Sequence, residues 1–202
     1  MDETAPLSTW SSSRRDYDHD KAETERRLNA LLGSKLTVVR PGPIMGERGG
    51  SPDLFTWLMR ARSGGRHIAP GDGADAVELA DVKDVGGFLI LAIHQRLLGT
   101  FNLTGRSIPF RTFLDRCKMA TASNAEFVWI PRAFLSKEGL KTDEELGLYT
   151  GDFPFWRPDA DVKNLFRISS YKAYRAGWRT RPFAETAQDC LEATSKPSVR
   201  RS

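Results

Sequence analysis

The sequence predicts an α/β fold, and three observations carry that prediction. A charged helical pattern over residues 16 to 32 is followed by Lys35-Leu36-Thr37-Val38-Val39-Arg40, a short, mostly apolar, β-branched run that stops at Pro41-Gly42-Pro43. A helix followed by such a buried strand is the rhythm of an α/β sheet. The rhythm returns where Asp81 and Asp84 lead into an apolar helical run, Gly86 to Leu98, and then into Gly99-Thr100-Phe101-Asn102-Leu103-Thr104-Gly105, a strand bounded by glycines. Third, 202 residues with 40% hydrophobic and 28% charged side chains suffice for one sizeable domain or part of a larger one.

In chain order, the first thirteen residues are rich in Ser, Thr and Pro and read as a loop, with Ser11 to Ser13 or Asp16 able to cap the first helix. That helix places Ala22, Leu28, Leu31 and Leu32 on its apolar positions, and Gly33 is set to stop it. The segment from Pro41 to Gly50 leaves the carboxyl end of the first strand, where open α/β sheets bind their ligands, and its prolines and glycines let a backbone approach a flat ligand closely. A helix is expected from Pro52 to Ser63, a turn at Ala69 to Gly73 and a short strand near Val77 to Leu79. Asp81 and Asp84 read as helix caps rather than catalytic acids.

After Gly105 the pattern changes. An amphipathic helix carrying Phe110, Phe113, Leu114 and Cys117 precedes a strand at Ala125 to Ile130, and Pro131 opens another helix. The aromatic stretch Gly147 to Pro158 reads as packing beneath a long loop, with a pocket wall as the other reading. A strand at Leu165 to Ile168, a helix at Ser169 to Ala176 stopped by Gly177, and a final helix from Pro182 to Ala193 close the fold.

Composition narrows the function classes. No apolar run approaches the roughly 20 residues that cross a bilayer, and the acidic start Met1-Asp2-Glu3 has the wrong character for a secretory signal, so a cytoplasmic, membrane-free protein is expected. Cys117 and Cys190 have no second Cys or paired His at metal spacing and read as ordinary buried thiols; no metal site is expected. Of the net charge of +4, Lys196, Arg200 and Arg201 contribute three, leaving +1 for everything before them. The basic tail therefore reads as a solvated, disordered end over residues 195 to 202, and nucleic acid as an unlikely partner.

The chemical clue is Tyr17-Asp18-His19-Asp20-Lys21. Positions i and i+4 share a helix face, so a phenol and an ammonium can point into one pocket. A free tyrosine ionises near pH 10; a neighbouring lysine charge favours the phenolate and brings proton exchange toward neutral pH. The spacing alone also occurs by chance on solvated helices, and His19 fits either a pocket lining or a solvated face.

Taken in order, the segments resemble the extended short-chain dehydrogenase/reductase family, of the NAD-dependent epimerase/dehydratase type. Tyr17 to Glu25 resembles the family's Tyr-x-x-x-Lys helix, Val38 to Gly46 its Arg-Pro loop, Ala80 to Val85 its Asp-Val segment, Gly99 to Gly105 its Phe-Asn-Leu strand, and Ala176 to Phe183 its Gly-Trp-x-x-Arg-Pro turn. The resemblance implies the second half of a Rossmann-type parallel sheet over residues 1 to 105, and a smaller α+β substrate-binding region over 106 to 194. It implies NAD or NADP as cofactor, a small-molecule substrate such as a sugar nucleotide or another hydroxyl or carbonyl compound, and a homo-oligomer as a further expectation. Tyr17 would be the catalytic acid/base group. Lys21 would lower its pKa and bind the nicotinamide ribose, while Arg40, Pro41, Gly42, Pro43 and Ile44 would belong to the cofactor-binding wall. Arg40 has a second reading, as an anchor of its loop.

The departures matter equally. No glycine-rich β-α-β unit is present, and no Gly-x-x-Gly-x-x-Gly follows a strand. Asp2 to Leu7 resembles the loop after the strand that normally ends in the substrate-polarising serine, so that serine is expected before Met1; Ser8, Thr9 and Ser11 to Ser13 are substitutes for it. The chain therefore reads as the C-terminal part of a longer protein. An interaction protein that uses an exposed sheet edge is the rival reading.

Overall fold

The first core forms around two parallel strands. The computed structural model describes residues 17–47, 52–139, 153–156 and 167–195. Helix α1 (Tyr17–Leu32) ends where Gly33 takes a φ of +53°, and a single 3-10 turn (Gly33–Lys35) returns the chain into β1 (Thr37–Pro41). Strand β1 pairs in parallel with β6 (Gly99–Leu103), from Thr37 opposite Gly99 to Pro41 opposite Leu103. Parallel pairing demands a long crossover, and part of it is α3 (Val82–Gln95), which lays Val85, Phe88 and Ala92 against Phe101 and Leu103. Trp178 closes this core edge-on to Phe88 at 6.0 Å, with Ala173 of α6 (Tyr171–Arg175) beside it.

The second core is aromatic. Helices α2 (Pro52–Arg62), α4 (Phe110–Ala120) and α7 (Phe183–Ser195) enclose Leu54, Trp57, Leu58, Phe113, Leu114 and Ala187. A parallel pair of β3 (Arg66–Pro70) with β8 (Glu126–Ile130) lies beside them, as does an antiparallel pair of β4 (Ala76–Val77) with β7 (Ile108–Pro109). Helix α5 (Arg132–Lys137) adds Leu135. Trp57 Nε1 donates to Pro154 O at 2.7 Å and Trp156 Nε1 to Asp75 Oδ2 at 2.7 Å, so two indoles bury their rings with their polar ends satisfied. Phe153, Phe155 and Trp156 are thus core, as packing beneath a loop requires; Tyr149 lies outside the described residues.

The two cores interleave along the chain. Residues of α2, β3 and β4 join the second, and residues 173–178 return to the first. The change of pattern after Gly105 falls between β6 and β7, while packing crosses it in both directions.

Several expectations shift. Helix α3 begins at Val82, not Gly86, because the Asp81 carboxylate accepts from Lys83 N at 2.7 Å and caps it there. Asp84 is not a cap: it sits in the first turn and accepts from Arg181 N at 2.9 Å. Strand β3 starts at Arg66 and was hidden by its polar residues, and Ile44–Met45 forms a short strand, β2, parallel to β5 (Ala80–Asp81), inside what reads as loop. Arg167 and Ile168 are not in a strand; Leu165 and Phe166 lie outside the described residues, as do residues 1–16 and 196–202.

Of the apolar positions expected on α1, only Ala22 is buried; Leu31 is 80% exposed, with Leu28 and Leu32 also open. Leu89, Ile90 and Ile93 of α3 are exposed in the same way, Ile93 at 76%.

Candidate functional site

Arg40, at the end of β1, is tied to α1 through one ion pair. Arg40 donates from Nε and Nη2 to the two carboxylate oxygens of Glu25 at 3.1 and 2.6 Å, a bidentate contact that is largely sheltered from solvent. Because β1 runs back along α1, this pair fixes their register. Lys21 stands one helical turn before Glu25 and is exposed, and Gly42 follows two residues after Arg40, where the chain leaves β1. Tyr17 is the first residue of α1; its side chain lies outside the described residues. Arg40 is engaged by Glu25 of α1.

The wall itself is built by backbone. Gly42 N donates to Leu103 O at 3.0 Å, and Pro43 O accepts from Ala80 N at 2.9 Å, so the chain bends off β1 and joins β5. At Gly42 a Cβ would lie 2.7 Å from Thr104 Oγ1 and 3.1 Å from Thr104 Cβ; only glycine leaves Thr104 its space.

Thr104 is the centre of a polar node. Its N–H donates to Ser170 Oγ at 3.1 Å, its hydroxyl to Glu78 Oε2 at 3.3 Å, and its carbonyl accepts from Trp178 Nε1 at 3.4 Å. Glu78, only 3% exposed, also accepts from Ile168 N at 3.0 Å. Burial pushes its carboxyl up from the ordinary 4.5 to about 7, against the pull of the Ile168 N–H and the Thr104 hydroxyl. Glu78 and Thr104 were not singled out from the sequence; the available signal was an acid standing alone in the apolar run Ala76-Val77-Glu78-Leu79-Ala80.

Other chemistry is sparse. Cys117 and Cys190 are free and buried, and burial pushes both thiols up, away from thiolate chemistry. Among the described residues no group of three or more His, Cys, Asp or Glu could hold a metal ion, and no helix is long and apolar enough to cross a membrane.

No family model matches the sequence, and no curated protein matches it significantly. Solved structures do match. UDP-glucose 4-epimerase from Thermus thermophilus, in complex with NAD, superposes with a TM-score of 0.57 at 18% identity, covering 96% of this chain and 62% of that one. UDP-glucose 4-epimerase from Thermotoga maritima, with UDP-glucose, gives 0.56 at 20% identity over 88% of this chain and 52% of that one. GDP-mannoheptose C4 reductase from Campylobacter jejuni, with NADP bound, gives 0.59 at 12% identity over 89% and 57%. The chain is therefore a mixed α/β protein with parallel strands of the Rossmann-like kind seen in these enzymes, and it spans at most about six-tenths of their length.

Glu78 generates a pH prediction. Its pKa is higher folded than unfolded, so the protonated form is the one the fold prefers, by on the order of 3 kcal/mol. That contribution is complete below pH 4.5 and is lost as pH rises through about 7. Urea unfolding at pH 5 and pH 8 is expected to show wild-type stability falling by about that amount. Glu78→Gln, which keeps an acceptor for Ile168 N, is expected to flatten the fall. Equal slopes for the two proteins would refute the assignment.

Proposed function

We propose that this chain is the tyrosine-lysine and substrate-facing part of an NAD(P)-dependent epimerase, dehydratase or reductase acting on a hydroxyl or carbonyl substrate of the sugar-nucleotide type. The observation that carries the reading is the Arg40–Glu25 pair, which ties α1, one turn after Lys21, to the end of β1 that leads into Pro41 to Ile44. In an open α/β sheet that end is where ligands sit. The likeness to enzymes solved with NAD or NADP supports the same class.

In this reading Tyr17 takes the proton from a substrate hydroxyl as it becomes a carbonyl, and returns it in the reverse direction. The Lys21 charge favours the phenolate and holds the ribose hydroxyls. Pro41, Gly42, Pro43 and Ile44 form a flat wall, stiffened by the Gly42–Leu103 and Pro43–Ala80 hydrogen bonds, against which ring and substrate pack. Nicotinamide, when bound, supplies hydride exchange at the substrate carbon. The residues present fit the nicotinamide-ribose end of a dinucleotide. Among the described residues, no glycine-rich turn follows a strand into a helix N-terminus to take the pyrophosphate.

A second reading is favoured by a separate observation. Strand β1 pairs with β6 along one edge and has no partner on its other edge among the described residues, and Ile90 and Ile93 stand exposed on α3. An unpaired parallel edge and an exposed apolar helix face are each a surface for another chain, including a second copy of this one.

Three outcomes follow. Absorbance at 295 nm during a pH titration is expected to show one of the four tyrosines ionising well below pH 10, the early step vanishing in Tyr17→Phe and moving upward in Lys21→Met; four tyrosines titrating together near pH 10 would overturn the acid/base role. Calorimetry with NAD and NADP on these 202 residues is expected to give no saturable binding in the micromolar range, and micromolar binding would show that the pyrophosphate is held in another way. Size-exclusion chromatography is expected to show self-association that Ile90→Lys with Ile93→Lys reduces; a well-behaved wild-type monomer would remove the second reading.

A further inference from the structure

A cavity of about 770 Å³ lies between the β4–β7 pair, α4 and the start of α7. Its body is apolar: Val77, Leu79, Ile108, Met119 and Phe183 line it. That volume lies within the range of pockets that take small organic ligands.

Charge divides the cavity into two parts. Of the lining carboxylates, Asp81 has the Arg181 guanidinium close by and Asp84 accepts from the Arg181 backbone. Arg181 donates to Asp189 at 2.5 Å and to Glu185 at 3.0 Å and stands 3.5 Å from Asp81 Oδ2, while its backbone N–H serves Asp84. Lys83 donates to Asp189 at 2.7 Å. Two further lining arginines are different. Arg106, directly after Gly105, and Arg116, on α4, both line the cavity and are exposed, and neither makes a hydrogen bond or ion pair with another described residue. Arg116, Met119 and Ala120 stand at i, i+3 and i+4 of α4 and all line the cavity, so one helix face offers it a guanidinium and a thioether together. Met119 is 80% exposed, a large apolar side chain left in water at the edge of that space.

An uncompensated pair of guanidiniums above an apolar wall is complementary to an acid group on an apolar body, since guanidinium recognises carboxylate, sulfonate or phosphate by charge-assisted hydrogen bonds. We propose that this cavity binds an amphipathic organic anion, its acid group held by Arg106 and Arg116 and its aliphatic or aromatic body lying on Ile108, Met119 and Phe183. The site shares no residue with Tyr17, Lys21 or the Pro41 to Ile44 wall, and it stands whether or not the catalytic reading holds.

The test uses the full chain and 8-anilinonaphthalene-1-sulfonate, which joins a sulfonate to an apolar frame and fluoresces when the frame is buried. Saturable binding to one site is expected. Arg106→Gln with Arg116→Gln is expected to raise the dissociation constant about tenfold or more, and Met119→Glu to act in the same direction. Ile90→Lys with Ile93→Lys, on the separate α3 face, is expected to leave it unchanged. Octanoate is expected to displace the probe, and inorganic phosphate at equal concentration to leave it bound. Binding indifferent to the arginines, binding abolished by the α3 variant, or displacement by phosphate as readily as by octanoate would each overturn the proposal. Arginine-dependent sedimentation with phosphatidylglycerol vesicles, with octanoate inert, would assign the cations to a lipid surface and overturn the small-ligand site.

Discussion

Thr104 can occupy its place only because residue 42 has no side chain, and much of the first core is tied to that contact. Thr104 follows β6 directly, Gly42 follows β1 directly, and the two strands are in parallel register, so the pairing itself forces these residues face to face. With the Gly42 side open, Thr104 distributes its polar atoms over three further segments: Glu78 between β4 and β5, Ser170 before α6, and the Trp178 indole. Each group is buried, and each would lose a partner if Thr104 moved. The node thus joins local backbone geometry to the docking of segments more than 60 residues away.

Glu78 shows how that tie is tuned. A carboxyl so deeply buried beside one hydroxyl and one backbone N–H is stable chiefly as the neutral acid. Ionisation near neutral pH would place a charge between the strand ends and the segment at Ile168, so this joint is weakened by alkali, whereas the aromatic second core is held by apolar contact and satisfied indoles and is indifferent to it.

The legible parts of the fold were those in which sequence period and burial coincide. Helix α4 was readable because Phe110, Phe113, Leu114 and Cys117 recur at helical spacing and all face the core. Strands β1 and β6 were readable from β-branched and apolar residues between glycine and proline stops. Strand β3 was not, because Arg66 and His67 carry polar side chains at a strand start that pairs through its backbone with β8. Helix α3 was placed too late because Gly86 and Gly87 look like a boundary, while the Asp81 cap and packing on β6 carry the helix straight through them. On α1 the pattern suggested burial for Leu28, Leu31 and Leu32, yet nothing described packs over them. Of the candidate site, the turn at Pro41 to Pro43 was visible in its residue types; Glu78 and Thr104 were not, because their roles come from strand register rather than from neighbours in sequence.

Arg40 connects these scales. Its place in a strand-and-loop signature suggested the cofactor wall, but its guanidinium is committed to both oxygens of Glu25, in a contact that water reaches only partly. A bidentate pair between a helix and the strand that follows it fixes translation as well as distance, because sliding by one residue would break both hydrogen bonds. The pair therefore ties α1 to β1 one helical turn after Lys21 and two residues before Gly42. This explains how a helix with one buried residue among its expected apolar positions is still held in register: an ion pair does at one point what a continuous apolar stripe does elsewhere, and leaves the remaining face of α1 in solvent. The catalytic reading thus depends first on Arg40 and Glu25, which orient the helix, and only then on the side chains that the helix carries.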